Sequence, residues 1–308
     1  MDTTTLDRLL GCAIGAAVGD ALGMPLEFGP ARPIDDLART YVAGRLAAGS
    51  FTDDTEMALA LAESLVDRGG FDGVDLSARF LDWYHHNPPD VGNQTRLALA
   101  WLEDGLDWET ASRRMADRNP DGAGNGSVMR CWPAALAAWE DDARLEQISA
   151  LQSQVTHPHP DCVAACVIVN RCIAALAAGA TPYDALNTAL RATRVSPLLL
   201  NTLRVAPSLP RESLQNSGWV IHTLESAFWG LLTTRSFEEA VVQVANLGND
   251  ADTAASVTGA LAGAAYGLQA IPAEWRAGLR GEWPLGSGRT WREAELIDLA
   301  QALITSGE

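Results

Sequence analysis

The sequence predicts an all-α protein, with helices packed orthogonally around one core. Three observations carry that expectation. Apolar residues recur at helical spacing in one segment after another, several of them preceded by capping residues. Alternating apolar–polar runs of the kind that form strands are scarce. Glycines fall at every fourth position in two segments, at Gly11, Gly15, Gly19 and Gly23 and again at Gly259, Gly263 and Gly267. Residues four apart share one helical face. A glycine there costs about 1 kcal/mol of helix propensity, a cost offset when a second backbone packs closely against it. Both segments are therefore expected to be central helices in tight contact.

In chain order, Glu27 follows the first glycine helix. Thr55 to Arg68 comes next, with Met57, Leu61 and Leu65 on one face. Leu76 to His85, Thr95 to Leu102, Met129 to Trp139, Asp161 to Ala178 and Pro182 to Ala192 read the same way. So do Val220 to Leu232, Phe237 to Ala245, and Glu293 to Ile304 after the second glycine helix. Asp53, Asp75, Thr181, Ser236 and Asp252 are the expected caps. Ser196 to Ser217, rich in Pro, Ser and Asn, reads as a long surface connection. Thr253 to Ala273 is uncharged and long enough to span a bilayer. Its Ala, Gly, Ser and Thr content and its acidic flanks favour a buried helix, and no membrane association is expected. No linker divides the 308 residues, so one domain spanning 1–308 is expected.

Composition excludes several functions. A net charge of −17 without a basic patch argues against a nucleic acid polymer as partner. The chain has no lysine, which removes a Walker-A lysine, a pyridoxal Schiff base and any catalytic amine. Five cysteines and no visible signal peptide lead us to expect free thiols in the cytoplasm. Cys162 and Cys166, one turn apart, read as small buried hydrophobes rather than a soft-metal site. There is no G-x-S-x-G, H-E-x-x-H or C-x-x-C motif.

Chemistry concentrates in two acidic clusters, Ser50-Phe51-Thr52-Asp53-Asp54-Thr55-Glu56 and Gly248-Asn249-Asp250-Ala251-Asp252-Thr253. Each alone reads as a helix start, with acidic residues favoured by the dipole. Each also pairs two aspartates with threonine hydroxyls, a hard-oxygen set that selects Mg²⁺, Mn²⁺ or Ca²⁺ over zinc or copper. Brought together, they would place four carboxylates in one volume, tolerable only with cations. A shared centre with two ions is the expectation.

The run Asp121-Gly122-Ala123-Gly124-Asn125-Gly126-Ser127-Val128-Met129-Arg130 leads into an expected helix. It reads either as a plain helix-entry turn or as an anion cradle for phosphate. His157 and His159 stand at another helix entry, as metal ligands, proton shuttles or phosphate donors, or as capping and packing residues. Glu27 could orient or deprotonate a water near a metal. Trp219 opens a helix, where it either stacks on a nucleobase or packs in the core.

Taken together, the motifs resemble those of the ADP-ribosylglycohydrolase family, the type that includes the dinitrogenase reductase activating glycohydrolase. The matching segments are Gly11 to Glu27, Gly49 to Glu56, Gly124 to Arg130, Thr156-His157, Gly218 to Thr223 and Gly248 to Gly263, in the family's order. The resemblance implies a compact all-α fold with a central cleft holding two Mg²⁺ or Mn²⁺ ions. Their ligands would be Thr52, Asp53, Asp54, Asp250, Asp252 and Thr253. It further implies that ADP-ribose is recognised. Asn125, Gly126 and Ser127 would cradle its diphosphate or distal ribose, and His157 would touch a phosphate or ribose. Trp219 would lie near the adenine, where relatives often carry tyrosine.

The implied activity is removal of ADP-ribose from protein side chains, with free ADP-ribose as product; a monomer is expected. Cleavage at the anomeric carbon builds oxocarbenium-like charge, and two metals would orient the ribose hydroxyls and activate water. Asp121 is favoured over Glu27 as proton acceptor, and arginine linkage is favoured with it. Serine-linked or O-acetyl ADP-ribose and ADP-ribose 1″-phosphate are the alternative substrates. An inactive ADP-ribose binder or a crystallin-like structural protein is the alternative of a different class.

Overall fold

The two glycine-bearing segments form the central helix pair. The computed structural model describes residues 1–306. Fifteen helices account for almost all regular structure among them: α1 (Thr3–Gly23), α2 (Asp53–Arg68), α3 (Gly73–His85), α4 (Asn93–Glu103), α5 (Trp108–Arg118), α6 (Trp132–Ala137), α7 (Asp142–Gln154), α8 (Pro160–Ala177), α9 (Pro182–Ala192), α10 (Pro197–Val205), α11 (Val220–Thr233), α12 (Phe237–Ala245), α13 (Ala251–Tyr266), α14 (Ala273–Gly278) and α15 (Glu293–Ser306). One small antiparallel pair, β1 (Gly281–Glu282) and β2 (Thr290–Trp291), sets Gly281 opposite Trp291.

Helices α1 and α13 run antiparallel at near-contact of their backbones. A methyl group on Gly15 would collide with the Gly259 carbonyl, one on Gly19 with that of Ala255, and one on Gly23 with that of Ala251. The collisions are reciprocal from Gly259 and Gly263 onto Gly15 and Gly11. This register brings the end of α1, and Glu27 just beyond it, to the start of α13. Gly267 departs from expectation. It terminates α13 with φ +87°, in the left-handed region that glycine adopts without strain.

Several boundaries differ from the sequence-based expectation for identifiable reasons. The N-cap positions of α2, α3 and α13 are Thr52, Asp72 and Asp250, so Asp53, Asp75 and Asp252 fall inside first turns. Thr181 and Ser236 cap α9 and α12 as expected. Helix α10 lies within the stretch read as a connection: Ser196 caps it and Pro197 is its first residue, so two apparent loop signals are helix-start signals. Helix α7 escaped detection because its inner face is partly polar, with Ser149, Gln152 and Ser153 all buried. Segments Thr3–Leu26 and Pro160–Ala177 are apolar and long enough to cross a bilayer, yet most of each is buried inside the fold.

Candidate active site

The α1–α13 register assembles the site. Helices α2 and α13, which begin in the two acidic clusters, receive no side-chain cap from their own N-cap residues. For α2 that role is filled from α1. The fully buried Asp20 carboxylate accepts from the Thr52 amide at 2.9 Å and hydroxyl at 2.8 Å, and from the Thr55 amide at 3.2 Å and hydroxyl at 2.6 Å. One aspartate thereby satisfies two backbone N–H groups of the helix start, those of Thr52 and Thr55, and fixes the Thr52 hydroxyl. Asp53 and Asp54 are released from capping. Asp54 Oδ1 is buried with no hydrogen-bond partner among the described residues, a costly state for a carboxylate oxygen unless a cation takes it.

The clusters meet where the Thr253 hydroxyl donates to Asp54 Oδ2 at 3.4 Å. Asp250 accepts from Asn125 Nδ2 at 2.7 Å, and the same amide donates to the Thr223 hydroxyl at 2.9 Å. Asn216 Nδ2 donates to the Gly248 and Asp250 carbonyls. Carboxylate oxygens of Glu27, Asp250 and Asp252 lie within 4.8 Å of one another and could hold a cation. The Arg45 guanidinium reaches into this group. It pairs with Glu27, with Asp252 at 3.2 Å and with Asp90 at 3.3 Å.

One arginine does not balance the charge. Burial and then Asp252 push the Asp53 carboxyl well above its ordinary range, and burial and then Asp20 do the same to Asp54. Burial, reinforced by Asp252, raises Asp250 to about 7, and burial with Asp20 raises Asp252 to about 6. Glu56 is pushed up to about 8 by burial, although the Trp83 indole donates to it at 2.7 Å. A set of hard oxygens that repel one another and include a partnerless buried oxygen fits a divalent cation.

These groups open into a cavity of ≈ 860 Å³. Of the expected residues, Glu27, Asp53, Asp54, Asn125, Gly126, His157, Asp250, Asp252 and Thr253 line it. Thr52 is buried behind it, held by Asp20. Three further expected residues lie outside the cavity lining. Asp121 is exposed on its turn, outside the cavity lining that Asn119 and Gly124 of the same turn join. Ser127 is fully buried with its hydroxyl bonded to that of Ser153 at 2.8 Å, turned into the core rather than toward a ligand. Trp219 lies outside the lining, its ring edge-on to His222 at 4.8 Å, while its neighbours Ser217 and Gly218 line the cavity.

The glycine turn also differs in detail. It does not run straight into a helix, because residues 126–130 form successive turns and α6 starts only at Trp132. No helix N-terminus therefore backs the cradle. The turn is held instead by pairing with the segment before α11, through the Asn125 amide to the Gly218 carbonyl at 3.0 Å and the Val220 amide to the Ala123 carbonyl at 2.9 Å. Of the paired histidines, His157 reaches the cavity and His159 caps α8 through the Asp161 amide. All five cysteines are free and buried, Cys162 and Cys166 included.

Several site residues escaped the sequence analysis. Asp20 left a trace, as the one charged residue inside a run of small apolar ones from Leu9 to Gly23. Asp90, Gln94 and Thr95 line the cavity from the loop after α3 and the start of α4, and Arg45 comes from the loop before α2. Local sequence offered no signal for these four.

The site can be compared with known proteins. The model of the ADP-ribosylglycohydrolase family matches residues 1–308. The chain belongs to the ADP-ribosylglycohydrolase family. An ADP-ribosylarginine hydrolase, Tri1, of Pseudomonas putida (strain GB-1) is 36% identical over 280 residues, covering 88% of this chain and 73% of the relative. The ADP-ribosyl-[dinitrogen reductase] glycohydrolase of Rhodospirillum rubrum is also 36% identical, over 276 residues, covering 87% and 89%. A solved ADP-ribosylglycohydrolase-related protein complex superposes with a TM-score of 0.83 at 33% identity over 100% of both chains. The all-α ADP-ribosylglycohydrolase fold is thus shown by structure as well as by sequence.

Proposed function

We propose that this ADP-ribosylglycohydrolase is a metal-dependent hydrolase that cleaves the bond between ADP-ribose and an arginine side chain of a protein. The observation that carries this reading is Arg45. Three carboxylates of the cavity lining, Glu27, Asp90 and Asp252, pair with its guanidinium, the chemical group that an arginine-linked substrate would bring. Relatives named ADP-ribosylarginine hydrolase, from Pseudomonas putida and Serratia proteamaculans, support it.

In this reading Asp53, Asp54, Asp250 and Asp252, with the hydroxyls of Thr52 and Thr253, hold two divalent cations, Mg²⁺ or Mn²⁺. When bound, these supply orientation of the ribose hydroxyls and a more acidic water. The chain does the rest. Asp20 fixes Thr52, and Asn125 fixes Asp250. Gly124 and Gly126 leave room for a phosphate or ribose oxygen beside His157. Asp90 takes the proton-acceptor role once expected of Asp121, being the aspartate that lines the cavity outside the two clusters. It also sits beside the guanidinium position, where it would steady the leaving group.

A second reading has one observation in its favour. The Glu27 oxygen gathers with those of Asp250 and Asp252, which would suit Glu27 as proton acceptor and an oxygen-linked substrate such as serine-linked ADP-ribose. One experiment separates the two. Arginine- and serine-linked ADP-ribosylated substrates are incubated with Mg²⁺, with Mn²⁺ and with EDTA, and free ADP-ribose is followed. Metal-dependent release from the arginine linkage is expected. Release from serine alone, or release undiminished in EDTA, overturns the proposal.

A further inference from the structure

Arg130 is fully buried, and no carboxylate among the described residues pairs with it. It stacks over the Phe80 ring at 4.4 Å. Its guanidinium donates to the Gln152 side-chain oxygen at 3.2 Å, the Gln152 carbonyl at 3.1 Å and the Thr156 hydroxyl at 2.8 Å. Burying a charge this deeply is costly, and the ADP-ribosylglycohydrolase reading gives Arg130 no contact with substrate. Its bonds lead to the cavity nonetheless. The Thr156 hydroxyl lies 2.7 Å from His157 Nδ1, and His157 lines the cavity.

The donors and acceptors from Arg130 through Thr156 to His157 fix where the protons lie. A guanidinium only donates, so the Thr156 oxygen must accept from Arg130. The hydroxyl has one hydrogen, and His157 Nδ1 is the acceptor the structure gives it. Were Nδ1 protonated, both groups would present hydrogens to the same buried oxygen, and the hydroxyl hydrogen would be stranded. Nδ1 therefore accepts, and the ring proton of the neutral imidazole is on Nε2. That nitrogen has no acceptor among the described residues and is the one nearest the glycine turn. A methyl group at Gly124 would sit 3.3 Å from it, and one at Gly126 3.0 Å, so both glycines keep Nε2 uncovered. Burial and the Arg130 charge hold His157 well below its ordinary pKa, against a second proton.

We infer that Arg130 and Thr156 are positioning residues that lock His157 as a neutral imidazole with its proton on Nε2, offering one fixed N–H to an oxygen of the ligand. The lock itself is independent of which ligand binds. The identification of that oxygen as a phosphate or ribose oxygen of ADP-ribose rests on the function proposed above.

The test is nitrogen-15 NMR of histidine-labelled protein at neutral pH, with the His157 signals identified by their loss in His157→Gln. The wild type should show a single tautomer protonated at Nε2. Thr156→Ser, which keeps the hydroxyl, should retain it. Thr156→Val should lose the single tautomer and weaken ADP-ribose binding about tenfold by calorimetry. A wild-type spectrum with the proton on Nδ1, or with both nitrogens protonated, overturns the inference without needing any variant to fold. So does an unchanged tautomer in Thr156→Val. An Nε2–H tautomer in a protein that does not bind ADP-ribose leaves the lock standing and counts against the proposed function alone.

Discussion

Individual residues carry most of the chemistry, and the aspartates divide sharply by surroundings. Asp54 presents a buried, partnerless oxygen, whereas Asp121 stands in solvent outside the cavity. Asp54→Ala should abolish measurable Mg²⁺ or Mn²⁺ binding in a calorimetric titration, and ADP-ribose release with it. Asp90→Asn should lower kcat by about 10²- to 10⁴-fold, the range for a lost general base, while ADP-ribose affinity changes little. Asp121→Asn should leave kcat near wild type, and a large loss there would return the proton-acceptor role to Asp121. That the two acidic clusters share one cavity was legible in the sequence, because each repeats two aspartates beside threonine hydroxyls. Asp90 and Arg45 were not. Each is one charged residue in an irregular loop, and its meaning arises only when the loop is laid against distant carboxylates.

At the level of elements, the glycine faces of α1 and α13 were legible for the opposite reason. Periodicity four residues apart is a property of the whole helix, and the helix-propensity penalty has a single common cause. The same contact shows which substitutions should reach the site. Gly11 packs at the Gly263 and Gly267 end, while Gly23 packs against Ala251 and Asp252, at the start of α13. A methyl group at either position overpacks backbone against backbone, costing about 1–3 kcal/mol or more. Gly11→Ala should lower the urea midpoint while leaving metal affinity close to wild type. Gly23→Ala should lower both, since the displaced backbone carries Asp252. Equal loss of metal affinity in the two variants would show that the helix pair does not position the site. Helices α5, α7, α10 and α14 escaped reading, and in α7 and α10 local signals mislead. Buried Ser149, Gln152 and Ser153 interrupt the apolar stripe of α7, and Ser196-Pro197 looks like a turn although it starts α10.

For the whole molecule, the gathered carboxylates tie folding to pH and to metal. Asp250 and Asp252 have ordinary values of 3.8 and are raised by burial and like charge to about 7 and about 6. Asp53 and Asp54 are raised in the same sense. Over the interval from about pH 4 to 7 the metal-free fold therefore holds more protons than the unfolded chain, and these groups make it less stable as pH rises. His157 and His222 oppose this, because burial holds both below 6.5 and the unfolded chain takes up their protons first. Neither is among the proposed metal ligands, so their contribution is common to the metal-free and metal-loaded protein. The difference between the two states isolates the carboxylates. Cations bind the deprotonated ligands, so loading must expel protons and gain strength as pH rises. Melting temperatures in EDTA and in saturating Mn²⁺ should therefore lie close together near about pH 4–5 and separate progressively toward about pH 7. A constant separation across that range would mean that the ligands are already ionised without metal. No separation at any pH would mean that the carboxylates of α2 and α13 hold no cation, and the proposed catalysis would fail with them.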